Sequence, residues 1–238
     1  MTKEVVIESE DVVIKGIMSI PASARGIVLF AHGSGSGRLS PRNQFVAGVL
    51  QDGQVATLLL DLLQESEEGD RSKVFDIYLL AKRLLIATDW LSAQGHAELK
   101  IGYFGASTGA AAALLAAANR PTDICAVVSR GGRPDLAGPW LSKVEAPTLL
   151  IVGGLDKGVI ELNQDAYAEL VCEKRMDIVP GATHLFEEAG TLEQAAHLAR
   201  AWFQKKFEKA VLGSEAEHPH AQREERRASP TREDNSSL

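Results

Sequence analysis

Cysteine is scarce, with two in 238 residues, and neither Cys125 nor Cys172 belongs to a CxxC or HxxxH spacing. A disulfide scaffold and a thiolate metal site are therefore excluded. Two buried free thiols in a reducing, cytoplasmic compartment are expected, with no metal and no cofactor. Aromatic residues are few, 3 Trp, 3 Tyr and 7 Phe, so base-stacking platforms and aromatic peptide grooves are not indicated. An excess of basic charge is also missing. Lys and Arg total 25 against 32 Asp and Glu, a net charge of −7, whereas duplex binding draws its affinity from a cationic face. No apolar run approaches the roughly 18 residues of a membrane span, and Met1 to Glu10 has no basic segment followed by an apolar one. Neither nucleic acid nor membrane is an expected partner, and no internal repeat is present.

The sequence instead holds 45% hydrophobic residues in a regular alternation. Val5 to Glu8 and Val12 to Ile20 alternate apolar and polar positions around a Ser-Glu-Asp turn, the pattern of an antiparallel hairpin. Continuous apolar runs follow at Gly26 to Ala31, Val55 to Leu60, Ile101 to Phe104, Ile124 to Ser129, Thr148 to Val152 and Met176 to Val179. Such runs suit parallel strands covered on both faces. Between them the spacing predicts helices over Asn43 to Gln51, Val74 to Leu91, Ala110 to Ala118, Val159 to Val171 and Leu192 to Phe207. This is the order of a doubly wound α/β sheet with an antiparallel hairpin at its start. The stretch between Arg130 and Pro147 is too short for a large cap domain. Composition shifts at Gly213, so one domain is expected over 1–212 and a disordered charged tail over 213–238.

The strongest motif is Gly105-Ala106-Ser107-Thr108-Gly109, placed between an apolar strand and an alanine-rich helix. A serine on a tight strand-to-helix turn needs small neighbours so that its hydroxyl stands clear of the sheet. A hydroxyl is a weak nucleophile, so the reading requires a histidine base and an acid to orient it. His184 follows the last strand in Pro180-Gly181-Ala182-Thr183-His184, while His197 is expected to pack on the C-terminal helix. Asp156 follows the preceding strand in Gly153-Gly154-Leu155-Asp156, where capping the next helix is its alternative role. Asp135 is the reserve acid.

Donors for an oxyanion are expected from the backbone N–H of Thr108 and from the loop Ala31-His32-Gly33-Ser34-Gly35-Ser36-Gly37-Arg38, with Ser34 the candidate and His32 a brace. The same loop, with Asp61 ending the next strand, admits a dinucleotide-binding reading. Its spacing is GxGxG rather than GxGxxG, however, and Pro41 separates the glycines from the helix. No Gly-Lys-Ser/Thr follows, which excludes a P-loop.

From about Val5 to Phe207 the chain resembles an α/β-hydrolase and is most similar to the dienelactone-hydrolase-like group. The motifs that carry the resemblance are Ala31-His32-Gly33, Gly105 to Gly109, Gly154-Leu155-Asp156 and Gly181 to Phe186. It implies a sheet without a cap and acyl transfer through Ser107, His184 and Asp156. Where dienelactone hydrolases use cysteine this chain has Ser107, which shifts the expected substrate to a small carboxylic ester or lactone. Some similar sequences are joined to phosphoribosyltransferase domains, and no segment here matches one. Arg130, Arg133 and Arg42, with Arg38, lie near the expected site and are candidates for binding a substrate carboxylate, ion pairing with Asp61, Asp135 or Glu65 being the alternative. A catalytically idle binding module, an acyltransferase and a peptidase are the competing functional readings. Oligomeric state is not legible.

Overall fold

The computed structural model describes residues 2–9, 12–96 and 98–217. Two strands, β1 (Thr2–Ser9) and β2 (Val12–Ser19), form the antiparallel hairpin, with Ser9 opposite Val12. Six more follow: β3 (Gly26–Ala31), β4 (Ala56–Leu60), β5 (Lys100–Ala106), β6 (Ile124–Arg130), β7 (Thr148–Gly153) and β8 (Lys174–Val179). The sheet order is β1-β2-β4-β3-β5-β6-β7-β8, and every pair from β4 to β8 is parallel. All residues of β3, β4 and β7 are buried, as strands with helices on both faces must be.

The helices are α1 (Pro41–Asp52), α2 (Arg71–Val74), α3 (Ile77–Ala93), α4 (Thr108–Ala118), α5 (Lys157–Glu169) and α6 (Thr191–Glu217). On one face Leu80 and Leu84 of α3 and Leu114 of α4 pack against Ile27, Leu58 and Val127. On the other, Val46 and Leu50 of α1 and Phe203 of α6 pack against Val28, Phe104 and Val128. Between β6 and β7 lies only a 3-10 segment, Pro134–Lys143, kinked at Gly138 before Pro139.

The helix expected over Val74 to Leu91 is α3, which begins three residues later at Ile77, while Val74 ends the separate short helix α2. Asp70 and Asp76 each cap a new start, accepting from the backbone N–H of Ser72 and Leu79 at 2.9 Å. A capping carboxylate ends one helix and begins another even where the apolar period continues. Helix α6 runs five residues past the expected boundary at 212. The rest of the expected tail, 218–238, lies outside the described residues.

The sheet order itself locates a crevice. The chain leaves β3 toward β4 on one side, and leaves β5 toward β6 on the other. The loops after these adjacent strands diverge, opening a gap at their carboxyl ends where α/β folds receive ligands.

Candidate active site

Ser107 stands in that gap. Its φ of 52° and ψ of −125° lie outside the region that L-residues prefer, and α4 begins at the next residue. The flanking glycines make the turn possible. A β-carbon on Gly105 would run into the backbone of Ala110, and one on Gly109 into the backbone of Ala31 and His32. The Ser107 carbonyl accepts from the backbone N–H groups of Ala110 at 3.1 Å and Arg133 at 3.0 Å, which hold the turn from both sides.

Asp156 and His184 come together from the ends of neighbouring strands. Asp156 occupies the position before α5, yet its side chain makes no capping bond. Its Oδ2 lies 2.7 Å from His184 Nδ1, so a proton on Nδ1 is donated to the carboxylate and Nε2 is left to face the pocket. The His184 loop is held at both ends. Thr183 donates through its backbone N–H and its hydroxyl to the Glu188 carboxylate, at 3.0 and 2.7 Å. These bonds hold the Glu188 carboxyl below its ordinary range. Phe186, buried with φ of 57°, anchors the middle.

One cavity of about 200 Å³ is lined by Gly33, Ser34, Arg42, Ser107, Arg130 and His184, among others. Ser107 and His184 line the same cavity, and no hydrogen bond joins Ser107 Oγ to His184 among the described residues. Gly33 presses on the nucleophile: a β-carbon there would lie 2.8 Å from Ser107 Cβ. Ser34 is exposed beside it. Thr108 is the first residue of α4, where backbone amides have no intrahelical acceptor. A larger hollow of about 750 Å³, lined by Val13, Lys15, Arg38, Asp61 and Gln64, does not include the serine.

His32 braces the loop that carries Gly33 and Ser34. Its Nε2 accepts from the Leu62 N–H at 2.8 Å and its Nδ1 lies 2.9 Å from the Gly33 carbonyl, which fixes the tautomer with the proton on Nδ1. Burial lowers its pKa, so the ring is neutral, as an acceptor at Nε2 must be. The far side of Leu62 is held as well, because Arg83 donates to its carbonyl at 2.7 Å and forms a two-pronged pair with the buried Glu67. No sequence signal marks this brace, since Arg83 and Glu67 are 16 positions apart.

The arginines separate into two kinds. Arg38 pairs with Asp61 through both its backbone N–H and its guanidinium. Asp61 is thus committed to the loop, and α1 begins ten residues beyond Ala31, an arrangement unlike a dinucleotide site. Arg133 holds Asp135 with two bonds, at 2.9 and 2.8 Å, and neither residue lines the pocket. Arg42 lines it while reaching Glu187 at 3.3 Å. Arg130 is buried, and its Nε and Nη1 have no hydrogen-bond partner among the described residues. The two thiols are free and half-buried, with pKa values raised by burial. His197 is exposed and faces Glu193 at 3.6 Å, not packed as expected, because its position turns away from the α6 seam of Ala195, Ala196 and Ala199. No helix among the described residues is long and apolar enough to cross a membrane.

No family model matches the chain. The crystal structure of a dienelactone hydrolase from Anabaena variabilis superposes with a TM-score of 0.84 at 55% identity, covering 87% of this chain and 98% of that one. Est1E from Butyrivibrio proteoclasticus, 15% identical, shares the fold with a TM-score of 0.72 over 85% of this chain and 98% of its own. A Mycobacterium tuberculosis protein named as a proposed phosphoribosyl transferase is 57% identical over 202 residues, 84% of this chain and 46% of that protein. The chain thus spans about half the length of that curated relative. Identity of 55% across nearly the whole of a dienelactone hydrolase, on the same mostly parallel sheet, means that the chain belongs to the dienelactone-hydrolase-like family of α/β-hydrolases.

Proposed function

We propose that this chain is a serine hydrolase that cleaves a small carboxylic ester or lactone through an acyl-enzyme. The observation that carries the reading is the 2.7 Å Asp156–His184 pair, which leaves the free edge of the imidazole in the same small cavity as a serine on a strained elbow. In this reading Ser107 attacks the ester carbonyl and His184 takes the hydroxyl proton. Asp156 holds the ring and offsets the imidazolium charge that forms. The backbone N–H groups of Thr108 and Ser34 receive the negative oxygen of the tetrahedral intermediate. Collapse expels the alcohol, protonated by His184, and water then releases the acid by the same steps.

Cavity size supports a small substrate, since about 200 Å³ falls below the usual range for drug-sized ligands. The phosphoribosyl transferase name belongs to a protein about twice as long as the matched segment. The dienelactone hydrolase, matched over 98% of its length, speaks for the segment itself. Two free thiols favour a reducing, cytoplasmic setting.

A panel of 4-nitrophenyl esters of increasing acyl length, with lactones and amides, tests this reading. Short acyl esters and lactones should turn over fastest, with the rate abolished in Ser107→Ala. Faster turnover of long-chain esters, or activity that survives Ser107→Ala, would contradict it. Preferential turnover of amides would favour a peptidase, and transfer to an added alcohol in place of water an acyltransferase.

A further inference from the structure

Asn163 is fully buried in α5, two turns beyond Asp156 at the head of the same helix. Its Nδ2 donates to the Val159 carbonyl at 2.8 Å, within the helix, and to the Gly132 carbonyl at 3.0 Å, outside it. Its Oδ1 is buried with no hydrogen-bond partner among the described residues. A buried acceptor left unmet loses its water without replacement, a cost that leucine of similar size would not carry. What the amide supplies and leucine could not is the bond to Gly132.

Gly132 is the middle of a three-residue bridge that leaves the end of β6 and touches both reactive loops. Before it, Gly131 has φ of 50° and donates its N–H to the Ile151 carbonyl at 2.8 Å. A β-carbon on Gly131 would lie 2.9 Å from the His184 carbonyl. After it, the Arg133 N–H donates to the Ser107 carbonyl at 3.0 Å, one of the two bonds that hold the strained elbow. Gly132 itself is closely packed, since a β-carbon there would run into Ser129 Oγ and Ala110 Cβ. Among the described residues, Asn163 supplies the one side-chain hydrogen bond to the backbone of this bridge. A single amide thus couples the helix of the acid to the elbow of the serine and the loop of the histidine.

Resting on the hydrolase reading above, we propose that Asn163 is a positioning residue. By holding the Gly132 carbonyl it fixes the bridge from Gly131 to Arg133, and through the bridge the placement of Ser107 against His184. It acts on acylation, where Ser107 Oγ must meet both the ester carbonyl and His184 Nε2 in one geometry. It does not act on substrate binding, because it is not among the residues that line the cavity.

Single-turnover acylation by 4-nitrophenyl butyrate separates the acylation rate from the substrate dissociation constant. In Asn163→Leu the acylation rate should fall roughly threefold to tenfold, the range one neutral hydrogen bond can transmit, with the dissociation constant unchanged. Labelling of Ser107 by a fluorophosphonate should slow by the same factor. Asn163→Ser sharpens the assignment, and serves alone if Asn163→Leu does not fold. Its hydroxyl can bond the Val159 carbonyl four residues back but is too short for Gly132, so it should be slowed as well. Ala166→Gly, which loosens α5 one turn further on, should lower Tm yet acylate like the wild-type chain. An acylation rate equal to wild type in either Asn163 variant would overturn the proposal. So would equal slowing in Ala166→Gly, the mark of a general loosening of α5, or a change confined to the dissociation constant. A wild-type chain that is never acylated ends the hydrolase reading and this proposal with it, whereas one acylated no faster than its Asn163 variants ends the proposal alone.

Discussion

Arg83 and Arg130 are buried to almost the same degree, 6% and 7% exposed, on opposite sides of the nucleophile. Arg83 meets Glu67 with two bonds and Leu62 with a third, and through Leu62 it steadies His32 and the loop beside Ser107. The Arg130 guanidinium lies 5.9 Å from the ring centroids of both Phe104 and Phe186 and pairs with no acid among the described residues. One region is complete without a ligand and gives the site its rigidity. The other has Nε and Nη1 buried without a hydrogen-bond partner among the described residues. A buried charge whose partner lies in the chain reads as architecture, whereas an unpaired one is a cost that the fold carries.

Substituting Arg83 should have the largest effect on stability. Arg83→Met leaves the buried Glu67 carboxylate with the half-exposed Lys73 and the Gln64 N–H as its partners, which should lower the unfolding free energy by about 3 to 5 kcal/mol at pH 7. The loss should depend on pH. Arg83 and the neighbouring donors hold the Glu67 pKa at about 2, against an ordinary value of 4.5. A carboxyl with a depressed folded pKa contributes fully above its unfolded value and loses that contribution as pH falls toward the folded one. The gap between wild type and variant, read from urea melts, should therefore narrow between pH 4.5 and about 2. A constant gap would show that the pair's charge is not what Arg83 contributes.

Arg130→Met should act in the opposite direction and more weakly. Replacing an unpaired buried cation by an apolar side chain of similar length should leave stability unchanged or raise it by about 1 kcal/mol. A loss comparable to that of Arg83→Met would erase the distinction between the two regions and make Arg130 part of the framework.

The parallel strands were legible in the sequence because their apolar runs are continuous, and Ser107, Asp156 and His184 because each follows a strand in chain order. Asp156 had two possible roles by sequence. In the fold its carboxylate lies 2.7 Å from His184 Nδ1 and makes no capping bond. The arginines looked alike in the sequence, but ion pairing is tertiary. Arg133 found its acid two positions away, Arg38 23 away and Arg42 145 away. The isolation of Arg130 is a property of the folded pocket. The break between α2 and α3 was hidden for another reason, as capping by Asp76 outweighed an apolar period that runs on through it.

All of this rests on Ser107 being a nucleophile served by His184. Treatment of the full chain with a fluorophosphonate probe, followed by intact and peptide mass measurement, tests that claim most directly. The account predicts one adduct per chain, on Ser107, absent in Ser107→Ala and strongly slowed in His184→Ala. A folded wild-type chain that remains unlabelled, or is labelled elsewhere, would contradict it and leave an α/β-hydrolase fold serving as a binding module.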